Sequence, residues 1–231
     1  MCKKGRKPAD LRKTLDGIWW ILVTGCQWNQ LPERFGKWNS VYRFHLRWAN
    51  KGVFAALLAR HVEQHGNDGF KVIDATFVKV HQDACRFGQA PEERGLGKSK
   101  GGRNSKVNAC VNRKGKALAL LLRPGNEHES KAARELLGDL EDVVVLGDRG
   151  YDDDTLRTHI KAGGGVALIP GKANRKEEPF YIPQIGRERR VVENFFARIK
   201  RYRRVNTRYD RRAETFMAFV NLAALADWIR F

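Results

Sequence analysis

Long apolar runs and paired cysteines are both missing from this sequence of 231 residues. No stretch of about 20 apolar residues occurs, so the sequence predicts no membrane-spanning helix. Residues 1–10 are basic and lack the apolar centre of a secretory signal peptide. The 4 cysteines show no C-x-x-C spacing, which argues against a zinc site or a disulfide framework and predicts reduced thiols. We therefore expect a cytoplasmic protein that does not bind membranes.

Acidic residues are scarce relative to basic ones. The chain has 26 Asp and Glu against 44 Lys and Arg, which gives a formal net charge of +18. A protein this basic usually binds a polyanion, and nucleic acid is the first candidate. Any acid inside an apolar segment of such a chain therefore needs an explanation.

The pattern of apolar residues changes near residue 66. Residues 9–65 have helical spacing and interleave aromatic with basic side chains, which predicts an all-helical DNA-binding unit over residues 1–66. The same aromatic residues are equally compatible with an ordinary three-helix core. Over residues 67–231 strand patterns alternate with helical ones, which predicts an α/β domain. The predicted strands cover residues 70–80, 106–112, 117–124, 143–146 and 166–170.

Three acids lie on separate predicted elements. Asp74 interrupts an apolar strand, Asp148 follows the strand at 143–146, and Glu193 lies in a basic segment near the end of the chain. A carboxylate in an apolar setting is costly unless it is paired or bound to a cation. Hard cations such as Mg²⁺ take oxygen ligands and share them with phosphates. The three acids therefore suggest a divalent-cation site that acts on a polyanion.

The segment around Glu193, residues 187–212, contains 11 Lys and Arg and 3 acids. If it is one helix, Arg189, Glu193 and Lys200 lie within about 40° of one another, beside an apolar stripe. A weak i,i+4 ion pair between Arg189 and Glu193 is a sufficient alternative. Residues 86–105 form a second basic segment, rich in Gly, and either wrap a phosphate backbone or form a disordered insertion.

Several segments resemble, in the same order, the transposases of the IS-five group of bacterial insertion sequences. They are GRKPADLR, TGCQWNQLPERFGKWNSVYRFHLRW, VIDATFVKVHQ, GGRNSKVN, LLRPGNEHES, LGDRGYDDD, ALIPGKANRKEE and VVENFFARIKRYRRVNTRYD. The resemblance covers nearly the whole chain. It implies a DDE transposase with a ribonuclease-H-like core, in which a mixed sheet is flanked by helices.

The resemblance also implies roles for individual residues. Asp74, Asp148 and Glu193 match the catalytic triad, which would hold two Mg²⁺ ions, with Mn²⁺ as a substitute. Arg189 and Lys200 match the pattern Y-x-x-R-x-x-x-E-x-x-x-x-x-x-K, where they would act on DNA near the cut. We further expect other basic residues to contact DNA. These are Arg201, Arg204 and Arg208 along the terminal segment and Lys98, Lys100 and Arg103 in the loop.

The sequence departs from the family pattern at two places. Gly186 occupies the Tyr position of the pattern, so that aromatic side chain is missing or is supplied by Tyr181 or Tyr202. The match at Gly5–Pro8 lies near the first residue, whereas family members often carry a further helical segment before it. This second departure keeps open a shortened form of the family protein.

The activity implied by the resemblance is cleavage of DNA at the ends of an insertion sequence, followed by transfer of the 3′-hydroxyl into target DNA. The expected partners are double-stranded DNA with terminal inverted repeats, the target DNA, and a second copy of the chain in a homodimer on DNA. Two alternatives remain open. One is a catalytically silent DNA-binding relic or regulator, and the other is a nuclease that cuts without joining.

Overall fold

Three helices open the part of the chain that the computed structural model describes, which is residues 10–66, 68–85 and 90–230. They are α1 (Leu11–Thr24), α2 (Trp38–Asn50) and α3 (Val53–His65). The carboxylate of Asp10 caps the start of α1 by accepting from the Lys13 backbone N–H. Gly25, with φ 68°, ends α1 in the left-handed conformation that glycine adopts freely. The prediction of helices over residues 9–65 is confirmed for the described residues of that range, while Ala9 and the match at Gly5–Pro8 lie outside the described residues.

The described residues form one sheet of seven strands. The strands are β1 (Phe70–Val80), β2 (Gly97–Ser99), β3 (Gly102–Val111), β4 (Ala117–Pro124), β5 (Val144–Leu146), β6 (Val166–Leu168) and β7 (Thr207–Arg208). Strands β1, β3 and β4 are successive antiparallel neighbours, and β5 and β6 continue the sheet on the other side of β1 in parallel. The order β4-β3-β1-β5-β6 is that of a ribonuclease-H-like sheet, which confirms the predicted fold class.

Both faces of the sheet are covered, because successive strand side chains point to opposite sides. Ile73 and Val145 pack against α5 (Glu129–Leu137) and α6 (Asp154–Ala162) on one face. Val72 packs into the larger core on the other face. That core is formed with the N-terminal helices, α8 (Arg190–Ile199) and α10 (Ala213–Arg230). Three helices of four residues complete the described chain: α4 (Gln82–Cys85), α7 (Pro183–Gly186) and α9 (Arg203–Asn206).

The described N-terminal helices share their hydrophobic core with α8 and α10. Ile18, Leu22 and Leu58 belong to the same buried cluster as Phe195 of α8 and Phe219 of α10. Helix α10 is buried around much of its circumference, as expected for a helix between two layers. In the described chain the strands begin after residue 66, and the buried cluster includes residues from both sides of that position. The division into two domains stays a prediction.

The basic segment 187–212 is not the single helix considered in the sequence analysis. Helix α8 follows a short 3₁₀ turn at Arg187–Arg189 and ends at Ile199. Farther on, Thr207–Arg208 forms β7, which pairs in parallel with Lys79 and Val80 at the end of β1. Backbone pairing to β1 thus replaces helical hydrogen bonds. Helical spacing could not reveal this break, because basic residues continue through α8 and the residues that follow it.

Within the described part of the chain, no helix is both long enough and apolar enough to cross a membrane. Cys26, Cys85 and Cys110 are free thiols, as predicted for them. Cys2 lies outside the described residues.

Candidate active site

Asp74 and Asp148 are brought together by the parallel pairing of β1 with β5. Val72 is opposite Leu146 in this pairing, and the two aspartates lie two residues farther along their chains. Each uses one carboxylate oxygen locally. Asp74 Oδ1 accepts from the Ala75 N–H at 2.8 Å, and Asp148 Oδ1 accepts from the Gly150 N–H at 2.8 Å. The second oxygen of each aspartate is left for other contacts.

Glu193 reaches the same place from α8. The buried residues of α8 are Val192, Phe195, Phe196 and Ile199. At the end of α8, Lys200 Nζ donates to Thr76 Oγ1 at 2.6 Å and to the Phe77 carbonyl oxygen at 3.0 Å. Burial lowers the pKa of Lys200. Lys200 therefore anchors α8 to the strand that carries Asp74, at the edge of the site.

Arg189 lies among the three acids. One guanidinium nitrogen is 3.9 Å from Asp74 Oδ2 and 3.8 Å from Asp148 Oδ2. The other terminal nitrogen is 3.4 Å from Glu193 Oε1. The i,i+4 pair between Arg189 and Glu193 is thus present, but it is one part of a four-residue cluster. Three acids that are far apart in sequence converge on one cation.

Among the residues that the structure describes, no three His, Cys, Asp or Glu side chains are close enough to hold a metal ion. The guanidinium of Arg189 accounts for the spacing of the triad, because it stands between the acids. The donor set itself fits a hard divalent cation, since it consists of three carboxylates whose oxygens already face one positive group. Asp74, Asp148 and Glu193 are therefore the candidate ligands for such a cation.

The charge of Asp74 is strongly affected by its surroundings. Burial, helped by the nearby acids Asp148 and Glu129 and opposed by the Ala75 N–H and Arg189, raises the pKa of Asp74 to about 6. A bound cation stabilises the ionised carboxylate. Cations and protons therefore compete at Asp74.

Glu129 is a neighbour of the triad that the sequence did not reveal. Its Oε1 pairs with Lys106 Nζ at 3.3 Å. A Cβ added at Gly150 would lie 2.9 Å from Asp148 Oδ1 and 3.2 Å from Glu129 Oε2, so Gly150 leaves room between these two carboxylates. Glu129 opens α5, where an acid is already explained by the helix dipole. The sequence feature that could have pointed to Glu129 is its position in GNEHES, within one of the segments that resemble the family.

Arg204 and Arg208 contradict the prediction that they line a DNA track. Arg208 is fully buried. It donates from Nη1 to Ser105 Oγ at 2.8 Å and from Nε to the Asp210 carbonyl oxygen at 3.0 Å. Arg204 is 6% exposed and pairs with Asp210 Oδ2 at 3.3 Å. Its guanidinium also lies over the Tyr209 ring at 5.2 Å. Both arginines are part of the interior, where a phosphate backbone does not reach.

The other predicted DNA contacts lie on the surface. Lys98, Lys100, Arg103 and Arg201 are all exposed. Lys98 is opposite Arg103 in the pairing of β2 with β3, so the basic loop ends in a hairpin that gathers three cations. Contact with DNA by these four residues stays a prediction.

Tyr181 occupies the space beside Gly186, the residue at the Tyr position of the pattern. A Cβ added at Gly186 would lie 1.9 Å from the Tyr181 hydroxyl oxygen. Tyr202 instead packs edge to face on Trp19, with ring centroids 5.3 Å apart. Of the two tyrosines considered from the sequence, Tyr181 is the one beside this position.

Comparison with protein families gives two adjoining matches. Residues 1–58 match the family described as “Putative transposase of IS4/5 family”, and residues 66–226 match the family described as “Transposase DDE domain”. The second match contains all three acids of the candidate site.

Individual proteins give consistent similarities. The chain is 34% identical over 128 residues to a Brucella ovis protein described as “Putative transposase for insertion sequence element IS6501”, covering 54% of this chain and 98% of that protein. It is 35% identical over 95 residues to “Uncharacterized protein y4sN” of Sinorhizobium fredii, covering 40% of this chain and 66% of that protein.

Among solved structures, a pre-cleavage Mos1 transpososome is 9% identical with a TM-score of 0.31, covering 99% of this chain and 82% of that chain. The catalytic domain of Mos1 mariner transposase is 12% identical with a TM-score of 0.29, covering 80% of this chain and 93% of that chain. Overlaps this low do not identify a shared fold, which rests here on the strand order. From the two family matches and the Brucella ovis relative, the chain belongs to the DDE transposases of insertion sequences, and its first 58 residues match the IS4/5 family among them.

Proposed function

We propose that this transposase cleaves DNA at the ends of its insertion sequence and joins the freed 3′-hydroxyl to target DNA. Asp74, Asp148 and Glu193 are the catalytic acids of this proposal. The observation that carries it is the convergence of their carboxylate oxygens on one cation, from a strand, a strand end and a helix. An ordinary surface ion pair would not require three acids from three elements.

The chemistry needs no side-chain nucleophile. Two divalent cations, Mg²⁺ with Mn²⁺ as a substitute, would activate the attacking oxygen and stabilise the leaving oxygen. Contacts within the protein orient the three catalytic acids. The local hydrogen bonds to Asp74 and Asp148 fix the direction of each carboxylate, and the Lys200 contacts hold α8 and Glu193 against β1.

The substrate in this proposal is double-stranded DNA, first at the terminal inverted repeats and then at the target. The exposed cations Lys98, Lys100, Arg103 and Arg201 would bind its phosphates. Both ends of the insertion sequence must be held together while they are joined to the target DNA. The proposal therefore includes a homodimer on DNA. The bacterial cytoplasm is the compartment in which this DNA lies.

The function is tested with a labelled duplex that carries the inverted repeat flanking the coding region. Purified wild-type protein is expected to nick this duplex in Mg²⁺ or Mn²⁺, and to join a pre-cut 3′ end to a second duplex. Both products should disappear when EDTA is added. Binding without nicking in either metal would favour the silent regulator, and nicking without joined product would favour a nuclease.

Substitution of Lys100 by glutamine tests the basic hairpin as a DNA contact. Each neutralised phosphate of B-DNA contributes about 0.9 to the slope of log K against log salt. If Lys100 binds one phosphate, Lys100→Gln should reduce the magnitude of that slope by about 0.9 in a fluorescence-anisotropy titration. The matched control is Lys161→Gln, an equal charge change at an exposed position on α6. Equal slopes for the two variants would exclude Lys100 as a contact.

A further inference from the structure

The guanidinium of Arg189 faces the same oxygens that the proposed metal site uses. Asp74 and Asp148 each commit Oδ1 to a backbone N–H, and each presents Oδ2 to Arg189. Glu193 presents Oε1 to the second guanidinium nitrogen. Divalent cations such as Mg²⁺ bind proteins through carboxylate oxygens of this kind. The Arg189 guanidinium and a metal ion therefore could not bind these three carboxylate oxygens at the same time.

The charge balance of the cluster explains why the arginine lies there. Three carboxylates grouped around one position repel one another, and the guanidinium between them offsets part of that repulsion. Arginine stays protonated in proteins, so Arg189 can leave the acids only by moving. Its side chain is 28% exposed and lies just before α8, at the edge of the site.

On the basis of the function proposed above, we propose that Arg189 is a positioning residue that assembles the three acids and competes with the divalent cation for them. Metal entry displaces its guanidinium. The displaced group is then available to a DNA phosphate, which arginine binds through two parallel hydrogen bonds. This order of events connects the metal site to the DNA contact expected of Arg189 from the sequence.

The test is Mn²⁺ binding to the full-length protein without DNA, measured by isothermal titration calorimetry. Arg189→Gln removes the competing charge and is expected to bind Mn²⁺ about tenfold more tightly than wild type. The matched control is Arg190→Gln, which removes an equal charge from an exposed neighbour and should leave the affinity unchanged. Unchanged or weaker binding by Arg189→Gln would overturn the proposal.

Thermal unfolding separates this role from a merely structural one. Without metal, Arg189→Gln should melt below Arg190→Gln, because its three acids lack their counter-charge. Mn²⁺ should then raise its melting temperature more than that of wild type. A lower melting temperature with no larger response to Mn²⁺ would show a structural role only and would refute the competition.

Two further variants test the arginine and the metal triad separately. If Arg189→Gln does not fold, Arg189→Lys replaces the fork by a compact charge that cannot bridge all three acids, and it should bind Mn²⁺ a few-fold more tightly than wild type. Binding equal to or weaker than wild type would again contradict the proposal. Glu193→Gln should weaken Mn²⁺ binding. If it does not, the metal triad itself is wrong, which distinguishes failure of the proposed function from failure of this inference.

Discussion

Glu193→Gln is expected to lower the rate of DNA strand cleavage by about 10³-fold while the protein still binds DNA. The change removes a negatively charged ligand from the proposed metal site but preserves the size of the side chain. A rate loss of about 10³-fold corresponds to about 4 kcal/mol of lost transition-state stabilisation, since about 1.4 kcal/mol changes a rate tenfold. Because the Glu193 side chain is 56% exposed, its loss should have little effect on folding. The measurement is single-turnover cleavage of the end duplex in Mg²⁺.

The control for this experiment comes from the same segment. Glu188 pairs with Arg113 at 2.7 Å and lies outside the acid cluster. Glu188→Gln makes the same chemical change and also removes one ion pair, but it should retain cleavage within a few-fold of wild type. Equal rates for Glu193→Gln and wild type would show that Glu193 is not part of the reacting site. An equal loss in both variants would point to a general effect of charge on DNA binding.

The positions of the aspartates could be predicted because strands have a simple period. Asp74 interrupts an apolar strand, and Asp148 follows the strand end where α/β sheets place functional groups. Their pairing in space depends on β1 lying directly beside β5, which the ribonuclease-H-like order supplies. The strand β1 was predicted with its observed limits, Phe70–Val80. At Asp74 and Asp148, the strand pattern of the sequence and the strand order of the sheet therefore indicate the same site.

Burial of charged residues could not be predicted in the same way. Arg204 and Arg208 look like their exposed neighbour Arg201, because a sequence does not show which basic residue will find an internal acid or aromatic ring. Asp210 and Tyr209 supply those partners only after the chain turns back along β1 to form β7. The position of Arg189 among three acids was equally hidden, since only its pairing with Glu193 is local.

A second hidden group of charges, centred on Asp227, is expected to be important for stability. Asp227 of α10 is 4% exposed and accepts from Arg198 Nε at 2.6 Å and from Arg198 Nη2 at 3.0 Å. It also lies 3.6 Å from Lys116 Nζ, just before β4. Arg198 donates in addition to the Gly115 carbonyl oxygen at 2.7 Å. This group ties α8, and with it Glu193, to α10 and the sheet.

Asp227→Ala should lower the free energy of unfolding by about 3–5 kcal/mol, because it leaves the buried Lys116 and the partly buried Arg198 without their counter-charge. For a chain of this size, that loss corresponds to a fall in melting temperature of roughly 6–20 °C. Differential scanning calorimetry measures it directly. The matched control is Asp16→Ala, which breaks an exposed pair with Arg12 and should cost about 1 kcal/mol or less. If the two variants melt together, the buried group does not hold α8 in place, and the orientation of Glu193 must depend on the Lys200 contacts with β1 instead.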